Sequence, residues 1–296
     1  MVRYDIWPNH IWELQRRGIP VLIANATMRR HTRRRLPVAR SFHHYVYNAI
    51  DEIFTVAPSD GEAFRQFSLD HTALHVIGDT RYDQVTAGSV EARRRHIIPP
   101  HITEGKRIIV IGSSWPEDEE VVIPACLRLQ AETGNLLLVV VPHEPTEEHI
   151  DGLERDLAGK ADTIRFSALN EYAGESIVIV DSVGILLVLY AHADIAYVGG
   201  SFRQGIHNVL EAAVFGIPVL FGPKHRNAHE PIMLVECGGG FVVEDSDELY
   251  RTLQNLLEDD GARRASGERA ARFVESHTGA TARFLEHLER RLAAQP

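Results

Sequence analysis

Several apolar runs in this chain do not alternate with polar residues, and this constrains the fold more than any motif does. Arg107-Ile108-Ile109-Val110-Ile111-Gly112 and Asn135-Leu136-Leu137-Leu138-Val139-Val140-Val141 read as strands that are apolar on both sides. Such strands must be covered on both faces, the situation in a parallel sheet flanked by helices. Val21–Ala24, Ile53–Val56, His75–Ile77, Ile177–Val180, Ile195–Val198 and Pro218–Phe221 read the same way, with helical patterns over Glu117–Glu132, Val209–Phe215, Asp247–Glu258 and from Ala262 onward, broken at Gly279. The class is α/β.

A chain of 296 residues has room for two domains. The stretch from Gln84 to Lys106, with Arg93-Arg94-Arg95, Pro99-Pro100 and few apolar side chains, reads as a linker. It separates residues 1–83, a partial Rossmann-like domain of three strands, from 107–280, a fuller one of about five, with 281–296 as a C-terminal helix. A domain of this class opens on a strand, a glycine-rich turn and a helix. Here the chain opens on the helix start Trp7-Pro8-Asn9, which implies N-terminal sequence outside it.

Charge is unevenly spread. The chain carries a net −10, which disfavours nucleic acid as a partner, yet residues 1–50 hold nine arginines against Asp5 and Glu13. Arg29-Arg30-His31-Thr32-Arg33-Arg34-Arg35 suits an anionic surface or a solvated loop. Two cysteines, Cys126 and Cys237, fit a reducing cytoplasmic setting better than a disulfide framework. No apolar run reaches the ~18 residues that a membrane span needs. His225, Asn227 and His229 lack zinc-site spacing, and no metal is expected.

The chemistry concentrates after the strand Ile195–Val198, in Gly199-Gly200-Ser201-Phe202-Arg203-Gln204-Gly205-Ile206-His207-Asn208-Val209-Leu210-Glu211. Glycines there let a ligand approach the backbone, amides at the helix start favour an anion, and Glu211 could accept from ribose hydroxyls. The same residues also suit a tight strand-to-helix turn with His207 and Asn208 as caps. Two further polar loops follow strands, Gly112-Ser113-Ser114-Trp115-Pro116 and Asp181-Ser182-Val183-Gly184, and ligands in open α/β sheets bind beyond the carboxyl ends of strands. Glu117-Asp118-Glu119-Glu120 reads as acidic support for a helix N-terminus.

With Gly216-x-Pro218-Val219-x-x-Gly222-Pro223, Gly78-Asp79-Thr80-Arg81-Tyr82-Asp83 and Gly279-Ala280-Thr281, these residues resemble the Kdo transferases of lipopolysaccharide synthesis along nearly the whole chain. The resemblance implies a GT-B glycosyltransferase fold and transfer of 3-deoxy-D-manno-octulosonic acid (Kdo) from CMP-Kdo to a lipid A precursor, without metal or cofactor. It also implies a cytoplasmic protein peripheral to the inner membrane. Ser113 and Ser114 match the family's Ser-Thr pair, His143 its Pro-Arg-His segment, and Asp181 and Gly184 its Asp-Thr-x-Gly. Gly199, Gly200, Ser201, Gly205, His207, Asn208 and Glu211 match its donor loop.

The chain departs from the family pattern in three places. Glu144 follows Pro142-His143, so the arginine is missing, and Ile206 stands where the family has a second glycine. No carboxylate occupies the place of the family's glutamate base; Asp5, ahead of Ile6-Trp7-Pro8, is the acceptor-side candidate, with N-capping of the Pro8 helix as its other reading. Two alternatives therefore accompany the transferase reading: a non-catalytic CMP-binding fragment, and a GT-B enzyme using another nucleotide sugar such as a UDP-sugar.

Overall fold

The structure, a computed structural model, describes residues 1–3, 5–28, 32–203 and 205–293. The chain divides into two compact units, Met1–Gln84 with His277–Pro296, and Val85–Ser276. In chain order the first unit contributes α1 (Pro8–Arg16), β1 (Leu22–Ala26), α2 (Pro37–Asn48), β2 (Glu52–Thr55), α3 (Pro58–Arg65) and β3 (Ala73–Val76). The boundary falls inside α4 (Thr80–Ala92), after which come α5 (Pro100–Thr103), β4 (Arg107–Ser114), α6 (Pro116–Thr133), β5 (Leu136–Pro142), α7 (Glu147–Leu157), β6 (Thr163–Arg165) and β7 (Ile177–Ile179). The second unit ends with α8 (Leu186–Tyr190), β8 (Ile195–Val198), α9 (Leu210–Ala213), β9 (Val219–Phe221), α10 (His229–Glu236), β10 (Gly240–Val242), α11 (Ser246–Glu258) and α12 (Asp260–Ser276); α13 (Ala280–Ala293) then returns to the first unit.

Among the described residues the first unit has a three-stranded parallel sheet in the order β1-β2-β3. Its core gathers Ile11 of α1, Ile23, Val46 and Tyr47 of α2, Ile53, and Phe64 of α3. The second unit has seven parallel strands in the order β10-β9-β8-β4-β5-β7-β6. Every residue of β5 is buried. One face of the sheet packs on Val122, Cys126 and Leu129 of α6, Ile150 and Leu153 of α7, and Leu249 and Leu253 of α11. Apolar runs with covered faces thus behave as the sequence predicts. Cys126 sits in this core, where burial pushes its thiol up to about 12.

Two expectations are corrected. The second unit has seven strands rather than five, because β6 and β10 are three-residue edge strands too short to show a pattern. Residues 84–106 are not a bare linker: they carry most of α4 and all of α5, and bury Val85, Ala92, Ile98 and Ile102. Widely spaced apolar residues on short helices gave no readable period there.

The two remote segments Gly78–Asp83 and Gly279–Thr281 meet. Asp83 accepts hydrogen bonds from the Gly279 amide (2.5 Å), the Thr281 amide (2.9 Å) and the Thr281 hydroxyl (3.0 Å), so it caps α13 from elsewhere in the chain. Arg283 donates through Nε to the Ile77 carbonyl at 2.8 Å. Asn25, at the end of β1 with φ +56°, accepts the Thr80 amide at 3.1 Å. The Asp83→Ala protein should lose about 1–2 kcal/mol of stability, the cost of a removed cap. Urea unfolding gives that number, and hydrogen exchange should quicken over residues 279–283; unchanged exchange there would show that the cap is dispensable.

Candidate functional site

The chain leaves β4 toward β5 on one side, while β8 lies against β4 on the other. This is a topological switch point, where the loops after adjacent strands part and leave a crevice. Two candidate loops end here, Ser113–Trp115 after β4 and Gly199–Asn208 after β8.

Close backbone approach explains the paired glycines. The Gly199 amide donates to the Gly112 carbonyl at 2.9 Å, and a Cβ on Gly199 would lie 2.3 Å from the Ser113 carbonyl oxygen. Gly200 has φ +92°, and a Cβ there would meet the Gly205 carbonyl oxygen at 2.5 Å. The β4 turn is itself unusual, with a register break between Gly112 and Ser114 and φ +53° at Ser113.

The two loops are tied together by Asp118, in the first turn of α6. Its carboxylate is fully buried and accepts from the Gly200 amide (2.7 Å), the Trp115 amide (3.1 Å) and the Tyr197 hydroxyl (2.9 Å). Burial first, and the Asp118 charge second, push the Tyr197 phenol well above its ordinary range, so it remains a donor. Next to it, buried Glu119 accepts from the Ser114 hydroxyl at 2.7 Å and pairs with His149 Nε2 at 2.8 Å. The acidic run 117–120 therefore does more than favour a helix N-terminus. Its second and third members hold the floor of the site.

Above this floor lies a stack of three rings. His143 and His207 have centroids 4.2 Å apart at 22°, and Trp115 lies 4.8 Å from His143. Trp115 Nε1–H donates to His207 Nε2 at 2.9 Å, which leaves the proton of the neutral His207 ring on Nδ1. Burial, then His143, lowers the His207 pKa from its ordinary value, and Asp118 opposes this. The Arg203 guanidinium covers the Trp115 ring at 4.0 Å and lies 3.7 Å from Glu117. Trp115 and Arg203 carry no motif that marks them as functional in the sequence, yet both stand inside the two polar loops.

One expected feature does not survive. The helix that follows the loop, α9, is only four residues long and offers an anion little helix N-terminus, and several of the described loop amides are spent internally. The amides of Arg203 and Gly205 donate to the Gly200 carbonyl, that of His207 to the Gly199 carbonyl, and that of Gly200 to Asp118. Asn208 bonds within the loop, donating to Glu211 at 2.9 Å and accepting the Leu210 amide at 3.3 Å. Burial raises the Glu211 carboxyl, and Asn208 partly offsets this. The Ser201 hydroxyl is buried and accepts the Gly222 amide at 2.6 Å, which joins the loop to the end of β9.

The remaining candidates separate. Asp181 follows β7, two strands from β4, and accepts the Ser167 amide at 3.0 Å and the Ser167 hydroxyl; exposed Gly184 turns with φ +78°. Asp5 is exposed in the first unit and does not cap α1, whose N-cap is Trp7 with no side-chain bond. Arg29, Arg30 and His31 lie outside the described residues.

Two parallel α/β units, the larger with polar loops at a switch point, give the chain a GT-B fold. Residues 1–84 match the family model described as 3-deoxy-D-manno-octulosonic-acid transferase (kdotransferase). The chain is 29% identical over 292 residues to the 3-deoxy-D-manno-octulosonic acid transferase of Haemophilus influenzae, covering 96% of this chain and 67% of that protein. It is 26% identical over 293 residues to that of Chlamydophila psittaci, covering 97% and 66%. The chain is similar to these Kdo transferases along nearly its whole length, and spans about two thirds of the length of these relatives. In fold it is similar to the C-terminal CMP-Kdo binding domain of WaaA from Acinetobacter baumannii (TM-score 0.53, 20% identity, 64% of this chain and 97% of that one). It is also similar to S. aureus MnaA with UDP (TM-score 0.63, 16% identity, 96% and 73%).

Two outcomes test the site's construction. Asp118→Ala strands the buried Gly200 amide and Tyr197 hydroxyl and should cost about 2–4 kcal/mol in chemical denaturation. A loss under half of that would mean another group takes over. The depressed His207 pKa means that the unfolded chain binds its proton first. This contribution to stability is complete above the ordinary value of 6.5 and is lost as pH falls below it. The NMR titration midpoint of His207 should therefore lie below 6.5, and a midpoint at or above 6.5 would refute the buried, Trp115-bonded ring.

Proposed function

We propose that the chain binds CMP-Kdo across the carboxyl ends of β4 and β8, and serves transfer of Kdo to a hydroxyl of a lipid A precursor in lipopolysaccharide synthesis. The observation that carries this reading is the Trp115–His143–His207 stack at the switch point of a chain related to Kdo transferases. A cytosine ring is flat and finds aromatic faces there. The phosphate and the sugar carboxylate are anions. With several of the loop amides engaged, side-chain donors meet them: Arg203 and His143, supported by the Ser113 side of the β4 turn. The Asn208–Glu211 pair suits ribose hydroxyls. Departure of CMP leaves charge on its phosphate, which a cation held in place stabilises. Asp5 is the acceptor-side candidate for the carboxylate that takes the proton of the attacking hydroxyl.

The second reading is CMP binding without transfer. Turnover of CMP-Kdo with a lipid A precursor by this chain would remove it. The UDP-sugar reading draws on the fold's likeness to S. aureus MnaA with UDP. A bound nucleotide raises the melting temperature by mass action, so CMP should stabilise the chain and UDP should do so less. Asn208→Ala and Arg203→Ala should each weaken CMP binding about tenfold, the loss of one good hydrogen bond to an ionic or buried partner. If Asn208→Ala bound CMP as tightly as the parent, its place in the donor site would be wrong.

No helix among the described residues is long and apolar enough to cross a membrane. The proposed place of action is the cytoplasmic surface of the inner membrane, reached through α1 and α2. Val38, Phe42 and Tyr45 of α2 fall at helical spacing and are 87%, 47% and 69% exposed. Trp12 of α1 meets Phe42 edge-on at 6.1 Å, Trp7 is exposed, and Arg33 and Arg40, nearby in the sequence, are exposed. Apolar and aromatic side chains with flanking arginines suit the interface of an anionic bilayer. Phe42→Glu should cut sedimentation with phosphatidylglycerol vesicles at least tenfold and leave CMP binding unchanged; undiminished sedimentation would dismiss this surface.

A further inference from the structure

Outside the donor site, the first unit gathers a carboxylate and two imidazoles from three distant parts of the chain. Glu52 opens the central strand β2, and Phe54 follows two residues on, so both side chains leave the same face. His75 of β3 pairs in register with Phe54 and joins that face. Over it lies α13, whose Phe284, His287 and Arg291 recur at intervals of three and four along one side.

The contacts follow this placement. Phe54 stacks on His75 with centroids 4.9 Å apart at 23°, and meets Phe284 and His287 edge-on at 4.9 Å. The two imidazoles lie 4.4 Å apart. Glu52 Oε2 stands 3.0 Å from His75 Nε2 and also contacts His287 Nε2, while Oε1 is taken by Arg291 Nη1. One donor atom from each of Glu52, His75 and His287 falls within 4.8 Å of the others.

We propose that Glu52, His75 and His287 form a zinc site that pins the C-terminal helix to the sheet of the first unit, separate from the transfer chemistry. Two imidazoles and a carboxylate are a donor set that zinc accepts, with a water completing four-coordination. A tetrahedral ion at about 2.0–2.2 Å from its ligands holds them about 3.3–3.5 Å apart, a spacing that small side-chain shifts reach from the one seen. His75 Nε2 supports the assignment independently: it is closed off from solvent and makes no hydrogen bond, although a carboxylate oxygen lies 3.0 Å away. A lone pair in that position is suited to a metal. Arg291, itself 3.8 Å from Asp51, serves as the outer partner that orients a ligating carboxylate. His75 and His287 remain 33% and 29% exposed, which leaves an entry path from solvent.

The test is titration of Zn²⁺ into the chelator-treated chain, followed by calorimetry and thermal melting, with Co²⁺ as a spectroscopic stand-in. The expected result is one saturable equivalent at micromolar or tighter dissociation constant, a melting temperature raised by several degrees, and visible Co²⁺ absorption of a four-coordinate site. His75→Phe and His287→Phe keep a ring against Phe54; each should weaken binding at least tenfold, while His101→Gln on α5 should not change it. Absence of a saturable equivalent in the parent chain would overturn the proposal, whatever the variants do. So would binding at parental affinity in both phenylalanine variants. Neither result depends on whether CMP binds.

Discussion

The buried Asp118 carboxylate holds the candidate site together. Its two oxygens take the Gly200 amide, the Trp115 amide and the Tyr197 hydroxyl, so one side chain joins the turn after β4, the end of β8 and the start of α6. A buried carboxylate of this kind is tolerated because the Gly200 amide and the Tyr197 hydroxyl aimed at it are also buried and would otherwise lack a partner. Once it is in place, the glycines follow. Gly199 and Gly200 lie so near the β4 turn and the returning loop that side chains would collide with backbone oxygen atoms. The ring stack then rests on a fixed floor, with Trp115 held through its amide by Asp118 and through its indole by His207. That floor places donors where a flat base and an anion can both be met.

The first unit is completed from the far end of the chain. Asp83 caps α13, Arg283 binds the Ile77 carbonyl, and Tyr82 stacks on His277 at 5.1 Å. The motif residues Gly78–Asp83 and Gly279–Thr281 thus serve a closure of the polypeptide. The same helix carries His287 and Arg291 onto the sheet, so the proposed metal would reinforce a contact that the cap begins.

What was legible in the sequence depended on how many residues shared one environment. The long strands β4 and β5 announced a parallel sheet because both of their faces are covered. The edge strands β6 and β10 span three residues each, and β6 has one apolar side chain between two polar ones, too little for any period. The glycine-rich loop was found, and its position beside β4 agrees with the rule of strand ends. Its chemistry was misjudged, because no spacing tells whether an amide faces a ligand or its own loop. Asp118 and Glu119 were hidden for a related reason. Four consecutive acidic residues at a helix start look alike in one dimension, and only the packing of α6 on β8 buries two of them. Glu52, His75 and His287 share no motif at all, since strand register and a returning helix bring them together.

The most direct test of the central claim is a crystal structure of the chain grown with CMP. Nucleotide density should lie across the ends of β4 and β8, with the cytosine against the Trp115–His143–His207 rings and Asp118 still bonded to the Gly200 amide. Density elsewhere on the chain, with that ring stack unmoved and no nucleotide beside it, would contradict the account.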